Sequence, residues 1–318
     1  MSNLDISVVV PLYNEEESLP ELVDWIEKVM VENRFSFEVV LVDDGSTDRS
    51  WEVVEELASK KTFIRGISFL RNYGKSAALY SGFDAAQGEV VVTMDADLQD
   101  SPNEIPELYR MIMEDKYDLV SGWKQKRYDP IGKRLPSKFF NATARFVSGI
   151  KLNDFNCGLK AYRRKVIKSV EVYGEMHRYI PVLAKQAGFR KIGEKVVEHQ
   201  ARKYGVTKFG WERFIHGFLD LLSVVFVSKF GKKPMHFFGT IGILSFLVGG
   251  ILSIYMIAEK LYLLTNHLKV REVTDQPLFY ISLTLVIIGA QLFLTGFLGE
   301  LVARSSTERN HYLVDKKI

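Results

Sequence analysis

Asp95 and Asp97 stand one residue apart, directly after the apolar run Val90-Val91-Val92-Thr93-Met94. Two carboxylates at such a strand end can approach one hard divalent cation, and Gln99 can add a neutral oxygen. Mg2+ or Mn2+ bound there would help stabilise a departing nucleoside diphosphate. Taken alone, an Asp-x-Asp pair equally describes two exposed turn aspartates; its place after a buried strand gives it weight. A second acidic cluster, Asp43-Asp44-Gly45-Ser46, follows another apolar run. Capping the next helix needs one such side chain, which Asp48 supplies, so Asp43 and Asp44 exceed that need. An acidic side chain here can accept hydrogen bonds from a base N–H or from ribose hydroxyls. Pro11, Tyr13 and Glu15 on the neighbouring strand end would form the other wall of a nucleoside pocket. Gly74-Lys75-Ser76 suggests a phosphate loop, but Phe69 stands where that pattern requires its first glycine. Arg71–Lys75 reads instead as a loop entering a helix whose N-terminus is expected to face the nucleotide.

These clusters need a scaffold that brings strand ends together. The spacing predicts strands at Ile6–Pro11, Glu38–Val42, Ile64–Phe69, Val90–Met94, Leu119–Gly122, Gly158–Arg163 and Lys191–His199. Helices are expected at Leu19–Val31, with Leu22, Trp25, Ile26 and Val29 on one face, and at Ser50–Ser59, Lys75–Gln87 and Ile105–Glu114. Further helices are expected at Lys133–Ser148 and Tyr179–Gln186. Strands that are nearly continuous apolar runs, alternating with helices, indicate an α/β fold with a sheet covered on both faces. Ligands of such sheets bind at the carboxyl ends of the strands. Asn14-Glu15, Asp43-Asp44, Arg71-Asn72 and Asp95-Ala96-Asp97 all fall there.

The chain has 318 residues, 47% of them apolar, with a net charge of +3, which is too small to argue for a nucleic-acid partner. Lys124, Lys126, Arg127, Lys133, Arg134 and Lys138 form one basic stretch. The single cysteine, Cys157, cannot form an internal disulfide, which fits a reducing compartment. No HExxH spacing occurs, and Met1–Ser7 lacks the features of a signal peptide.

From Met235 the composition changes. Met235–Ala258 has one His near its start and no other ionisable residue; at about 1.5 Å per residue it would reach about 36 Å, enough to cross a bilayer with tilt. Leu278–Leu298 is a second span, and Glu259–Pro277 is expected to be a short polar loop between them. Lys229, Lys232 and Lys233 before the first span, with Arg304, Arg309, Lys316 and Lys317 after the second, favour both termini in the cytoplasm. Phe209–Phe230 reads as an aromatic-rich helix lying in the membrane interface. The expected organisation is a cytoplasmic catalytic domain over 1–208, an interfacial helix over 209–233, two membrane helices within 234–303 (about 235–258 and 278–300) and a cytoplasmic tail over 304–318. The location expected is the cytoplasmic, or inner, membrane, crossed more than once.

Four motifs stand in a fixed order: Val10-Pro11-Leu12-Tyr13-Asn14-Glu15, Val42-Asp43-Asp44-Gly45-Ser46, Asp95-Ala96-Asp97-Leu98-Gln99 and Asp154-Phe155-Asn156-Cys157-Gly158. Together they resemble glycosyltransferase family 2, and within it the polyprenyl-phosphate glycosyltransferases such as dolichol-phosphate mannose synthases and bactoprenol glucosyltransferases. The resemblance covers essentially the whole chain. It implies a GT-A fold, a mostly parallel Rossmann-like sheet, and an inverting transfer. It implies Pro11, Tyr13, Glu15, Val42, Asp44, Asp95 and Ala96 at the nucleotide-sugar, and Asp97, Gln99 and Asp95 at Mg2+ or Mn2+. Arg202 and Lys208, with Arg127 and Arg134 matched less securely in a variable loop, would bind the lipid phosphate. Thr207 replaces the serine usual before that lysine. Asp97 and Asp154 are the expected catalytic positions, Asp154 either as a base or as a sugar-positioning residue.

The reaction expected is transfer of a hexose, glucose from UDP-glucose first and mannose from GDP-mannose second, to polyprenyl phosphate. A processive polysaccharide synthase would carry Gln-x-x-Arg-Trp on its interfacial helix, and Gly210-Trp211-Glu212-Arg213-Phe214 does not fit. A nucleotide-sensing or lipid-translocating membrane protein would not need Asp95, Asp97 and Gln99 intact. The sequence leaves the lipid length and the oligomeric state open, a homo-oligomer included.

Overall fold

A computed structural model of the chain describes residues 4–125, 141–146, 148–174, 176–200, 203, 234–269 and 271–305. The chain forms two compact units, Met1–Val225 and Phe226–Ile318. Arg127, Arg134, Arg202, Lys208, the expected interfacial helix over 209–233 and the tail over 306–318 lie outside the described residues.

The first unit runs β1 (Ile6–Leu12), α1 (Leu19–Glu32), β2 (Phe37–Asp43), α2 (Ser50–Lys60), β3 (Ile64–Ser68), α3 (Lys75–Ala85), β4 (Val90–Thr93), α4 (Ile105–Met113) and β5 (Leu119–Trp123). It continues through β6 (Lys160–Arg163), the short α5 (Arg164–Ile167), a 3-10 turn at Met176–Tyr179, α6 (Ile180–Gln186) and β7 (Ile192–Val196). The seven strands form one sheet in the order β3-β2-β1-β4-β6-β5-β7. Parallel pairing joins β1 to β2 and β4, β2 to β3, and β5 to β7. The sheet is a departure from uniform parallel order at one place: β6 runs antiparallel to both β4 and β5. A strand at Gly158–Arg163 was expected and β6 lies within it; its direction was not legible, because direction depends on the path of the chain between Trp123 and Lys160.

Val8, Val10, Val39, Leu41, Val90 and Val92 pack one face of the sheet with Leu22, Ile26 and Met30 of α1. Val9, Val40, Val42 and Val91 pack the other with Leu79 and Phe83 of α3 and with Tyr162. Burial on both faces explains why these strands carry no polar alternation. Helix α3 ends at Ala85, two residues earlier than Gln87, where a buried polar network takes over. Glu38, 4% exposed, accepts hydrogen bonds from Ser7 Oγ at 2.6 Å, from the Gln87 N–H at 2.7 Å and from Arg65 Nη1 at 3.0 Å. Removing the acceptor strands buried donors. Glu38→Ala is therefore expected to cost about 3 kcal/mol and to lower the melting temperature of the purified chain by about 10 °C. Scanning calorimetry checks this, and an unchanged transition would contradict it.

The second unit is a helical hairpin of α7 (Pro234–Thr265) and α8 (Pro277–Ser305). Both are long and apolar enough to cross a membrane. Helix α7 runs seven residues past Ala258, so the connection is shorter than the Glu259–Pro277 loop expected from polarity; Glu259 and Lys260 are helical. The helices approach through small residues. A Cβ on Gly242 would lie 2.7 Å from the Phe293 nitrogen, and one on Gly249 2.7 Å from the Ser282 carbonyl oxygen. Ser253 Oγ meets Ser282 Oγ at 3.2 Å across the same seam. Ile251, Ile254, Leu261, Tyr262 and Leu298 point outward, each more than half exposed. Small residues at the seam and large apolar ones facing out match the pattern by which helices pack in lipid.

Candidate active site

The register of β1, β2 and β4 brings the expected residues to one edge. Pro11 pairs with Val42 and Leu12 with Asp43, while Val9 pairs with Thr93. The loops beyond are cross-linked. The Asn14 N–H donates to Ser46 Oγ at 2.9 Å, the Thr47 N–H to Asn14 Oδ1 at 2.8 Å, and the Glu15 N–H to Ser50 Oγ at 2.9 Å. Asn14 adopts φ 57°, a left-handed conformation that Asn tolerates better than most residues. Pro11, Tyr13 and Glu15 are half-buried on this rim, while Val42 is wholly buried in the core beneath it.

Asp43 and Asp44 are both almost fully buried. Asp43 accepts from Ser46 Oγ at 2.5 Å and from Ser68 Oγ at 3.2 Å. Asp44 accepts from the Tyr73 N–H at 2.7 Å and the Gly74 N–H at 2.9 Å, fixing the loop that leads into α3. Burial raises the Asp44 pKa; the two backbone bonds oppose the rise and neighbouring Asp43 adds to it. Asp48 accepts from the Ser50 N–H at 3.0 Å, at the start of α2. Gly45 lies at φ 70°, and a Cβ there would meet the Arg71 carbonyl carbon at 2.4 Å. Only glycine lets the 45–46 turn and the 71–72 loop close on each other.

After β4 the chain turns through Leu98 at φ 59°, a strained conformation for a branched side chain that is itself 97% buried (3% exposed). This buried anchor holds Asp97 and Gln99 on the half-exposed side of the turn. The Gln99 N–H donates to Asp97 Oδ1 at 3.2 Å, and the Gln99 carbonyl accepts from the Gln200 N–H at 2.9 Å. Asp95 is ion-paired with Lys75 at the start of α3. Burial alone would raise its pKa, but Lys75, Lys124 and Lys160 outweigh burial and hold the carboxyl well below the usual carboxylate range. A group depressed in this way contributes stability above its unfolded pKa, and that contribution is lost as pH falls through the folded value.

The antiparallel β6 completes the site. Thr93 pairs with Lys160 in register, so the segment leading into β6 lies at the same edge as Asp95. Thr93 Oγ1 donates to the Gly158 carbonyl at 2.8 Å. A Cβ on Gly158 would sit 2.6 Å from the Asp95 carboxylate, so the absence of a side chain makes room for that group. Gly158→Ala is expected to push Asp95 off Lys75 and to reduce turnover more than tenfold with the melting temperature kept within a few degrees. Steady-state kinetics with calorimetry tests this; an alanine variant with full activity would refute the cradle.

Asp154 is wholly buried, accepting from the Asn156 N–H at 3.0 Å, and its own N–H donates to Glu194 Oε1 at 2.9 Å. Lys160 is 4% exposed and donates to the Cys157 carbonyl. Its pKa is lowered by burial first, with repulsion from Lys75 in the same direction. Cys157 is buried and its thiol is pushed up to about 12, chiefly by burial, which leaves it unreactive.

Sequence reasoning missed Lys124, Lys160 and His177. Lys124 was grouped with a basic stretch, yet its side chain is 12% exposed and pairs with the fully buried Asp100 at 2.6 Å. Its place directly after the buried strand β5 was the available signal. Asp97 and Gln99 fit a divalent cation chemically: both are oxygen donors on one turn, and Mg2+ commonly takes one or two carboxylates with the rest from phosphate and water. Among the described residues no group of three or more His, Cys, Asp or Glu side chains makes a self-contained metal site.

Comparison with known proteins bears on the family and the fold. The pattern described as Glycosyl transferase family 2 matches residues 7–171. Dodecaprenyl-phosphate galacturonate synthase of Rhizobium johnstonii is 35% identical over 96% of this chain and 89% of its own length. Undecaprenyl-phosphate 4-deoxy-4-formamido-L-arabinose transferase of Pectobacterium carotovorum is 35% identical over 99% of this chain and 94% of its own. Among solved structures, glucosyl-3-phosphoglycerate synthase of Mycobacterium tuberculosis in complex with UDP aligns with a TM-score of 0.55 at 21% identity, covering 71% of this chain and 80% of that one. A second structure of that synthase, with Mn2+, UDP-glucose and phosphoglyceric acid, aligns with a TM-score of 0.53 at 20% identity, over 71% and 79%. The GT-A fold implied by the four sequence motifs is thus the fold found. This chain belongs to glycosyl transferase family 2, as a glycosyltransferase whose relatives are polyprenyl-phosphate sugar transferases.

Proposed function

We propose that this enzyme transfers one glycosyl unit from a nucleotide-sugar to polyprenyl phosphate at the cytoplasmic face of the inner membrane, with inversion at the anomeric carbon. The observation that carries this reading is the gathering of the β1, β2 and β4 ends at one sheet edge, in a chain that also holds an apolar helical hairpin. The nucleoside lies between the Pro11–Glu15 rim and Asp44. The pyrophosphate faces the turn of Asp95, Ala96, Asp97 and Gln99. Asp97 and Gln99 would hold Mg2+ or Mn2+, with Asp95 beside them on the same turn. Bound there, the cation supplies charge neutralisation to the leaving nucleoside diphosphate. Arg127, Arg134, Arg202 and Lys208 remain the residues proposed for the lipid phosphate.

The relatives carry galacturonate and 4-deoxy-4-formamido-L-arabinose in their names. Neither supports the expectation of glucose or mannose, and a sugar bearing an added functional group takes precedence here. UDP-glucose, GDP-mannose, UDP-galacturonate and the UDP-formamido-arabinose form a panel for the purified chain. Release of nucleoside diphosphate that requires both one of these donors and polyprenyl phosphate supports the reading. Release that ignores the lipid opposes it.

The acceptor needs little help in losing a proton, because a phosphate monoester has a second pKa near ~6 and is largely dianionic at neutral pH. Asp154, buried and bonded to the loop it begins, is read as a positioning residue. Asp154→Asn is then expected to cost less than about tenfold in kcat, whereas a general base would cost about 10²–10⁴-fold. Single-turnover kinetics separates the two; a thousandfold loss with donor Kd unchanged restores the base.

A further inference from the structure

Beside the Asp95–Lys75 pair lies a pocket whose lining includes Lys75, Lys160, His177 and Arg178 and no acidic residue. Three separate elements supply these groups: the first residue of α3, the first residue of β6 and the 3-10 turn at Met176–Tyr179. The turn is fixed to α3. The His177 N–H donates to Ser76 Oγ at 3.0 Å, and Ser76 Oγ lies 3.1 Å from His177 Nδ1. Ser76 Oγ thus meets both the backbone and the ring of His177 and fixes the turn against the start of α3. Ser76 is 1% exposed, so the clasp is sheltered from water.

Four basic groups on the wall of one pocket favour an anionic ligand. Lys160 is buried, and repulsion from Lys75 adds to the burial that already disfavours its charge. Asp95 balances Lys75. Arg178 adds a planar cation suited to the oxygens of a carboxylate or phosphate. Leu79, Phe155 and Ile180 supply the apolar part of the lining.

We propose that this pocket is an oxyanion-recognition site for the reacting substrates, in which Arg178 and His177 bind either the phosphate of the acceptor or a carboxylate carried by the transferred sugar. It rests on the glycosyl transfer read above and adds residues that none of the sequence motifs included. The two sources share one chemistry, a compact oxyanion beside the sugar-diphosphate turn.

The test is equilibrium binding by the full chain in detergent, without turnover. Farnesyl phosphate and farnesol probe the first source; UDP-galacturonate and UDP-galactose probe the second. Arg178→Gln and His177→Gln are compared with wild type, and Arg178→Lys serves as the charge-keeping variant. Weakening of farnesyl phosphate by tenfold or more, with both nucleotide-sugars unaffected, assigns the acceptor phosphate. Tenfold weakening of UDP-galacturonate with UDP-galactose unaffected assigns the sugar carboxylate. In either case Arg178→Lys is expected to recover part of the loss. Should Arg178→Gln fail to fold, Arg178→Lys and His177→Gln carry the comparison, each with an expected loss above threefold. Variants that bind every probe within twofold of wild type overturn the proposal. So does equal weakening of UDP-galactose, or a wild-type chain that binds neither anion. The transfer reading is scored separately, by lipid product from the wild-type chain, so the two can fail independently.

Discussion

Asp97→Ala is expected to abolish glycolipid synthesis, with kcat/KM falling by about 10³-fold or more, equivalent to about 4 kcal/mol of transition-state stabilisation at 1.36 kcal/mol per tenfold. The size follows from charge. Loss of the donor leaving group concentrates negative charge on a diphosphate, and the turn after β4 carries the oxygen donors proposed to hold a counter-cation. The fold should survive, since Asp97 is half-exposed and the turn is anchored by buried Leu98 and by the Gln99–Gln200 backbone bond. Kinetics with a short polyprenyl phosphate and excess Mn2+ gives the number, and circular dichroism confirms the fold. Activity within tenfold of wild type would remove the turn from the chemistry.

Lys124→Met is expected to be the most destabilising single change near the site. Asp100 is fully buried, and Lys124 is the cation paired with it among the described residues. Burial alone would lower the Lys124 pKa, yet the Asp100 carboxylate outweighs it and, with Cys157 and Asp95 adding, raises the value well above that of an ordinary lysine. A group raised in this way stabilises the fold below its unfolded pKa, and its contribution is lost only as pH rises through the folded value. Deleting the cation leaves a buried, uncompensated carboxylate, at a cost of about 3–5 kcal/mol. Asp100→Asn together with Lys124→Met removes both charges and should recover much of that loss. Melting temperatures of the four proteins form the cycle. A double variant as unstable as the worse single one would show that the pair is not the reason for the effect.

The strand-end clusters after β1, β2 and β4 were legible because each depends on local chemistry: an apolar run, then acidic or amide side chains. The two apolar spans were legible for the same reason, since length and lack of charge need no tertiary information. Lys124 and Lys160 were not. Neither belongs to a motif, and only the tertiary packing of β6 between β4 and β5 buries them beside Asp95 and Asp100. The antiparallel direction of β6 was hidden likewise, and with it the reason Gly158 must lack a side chain. His177 joins the site through Ser76, which lies 101 residues earlier, a pairing that no spacing rule exposes. The continuation of α7 past Ala258 was missed because Glu259 and Lys260 ended the apolar run without ending the helix; charged residues are good helix formers.

Mass spectrometry of the lipid after incubating the purified chain with its donor, polyprenyl phosphate and Mn2+ puts the account to its most direct test. One added glycosyl residue on the intact phosphate, and no more, is the expected product. An unchanged lipid, or a ladder of successive additions, would contradict it.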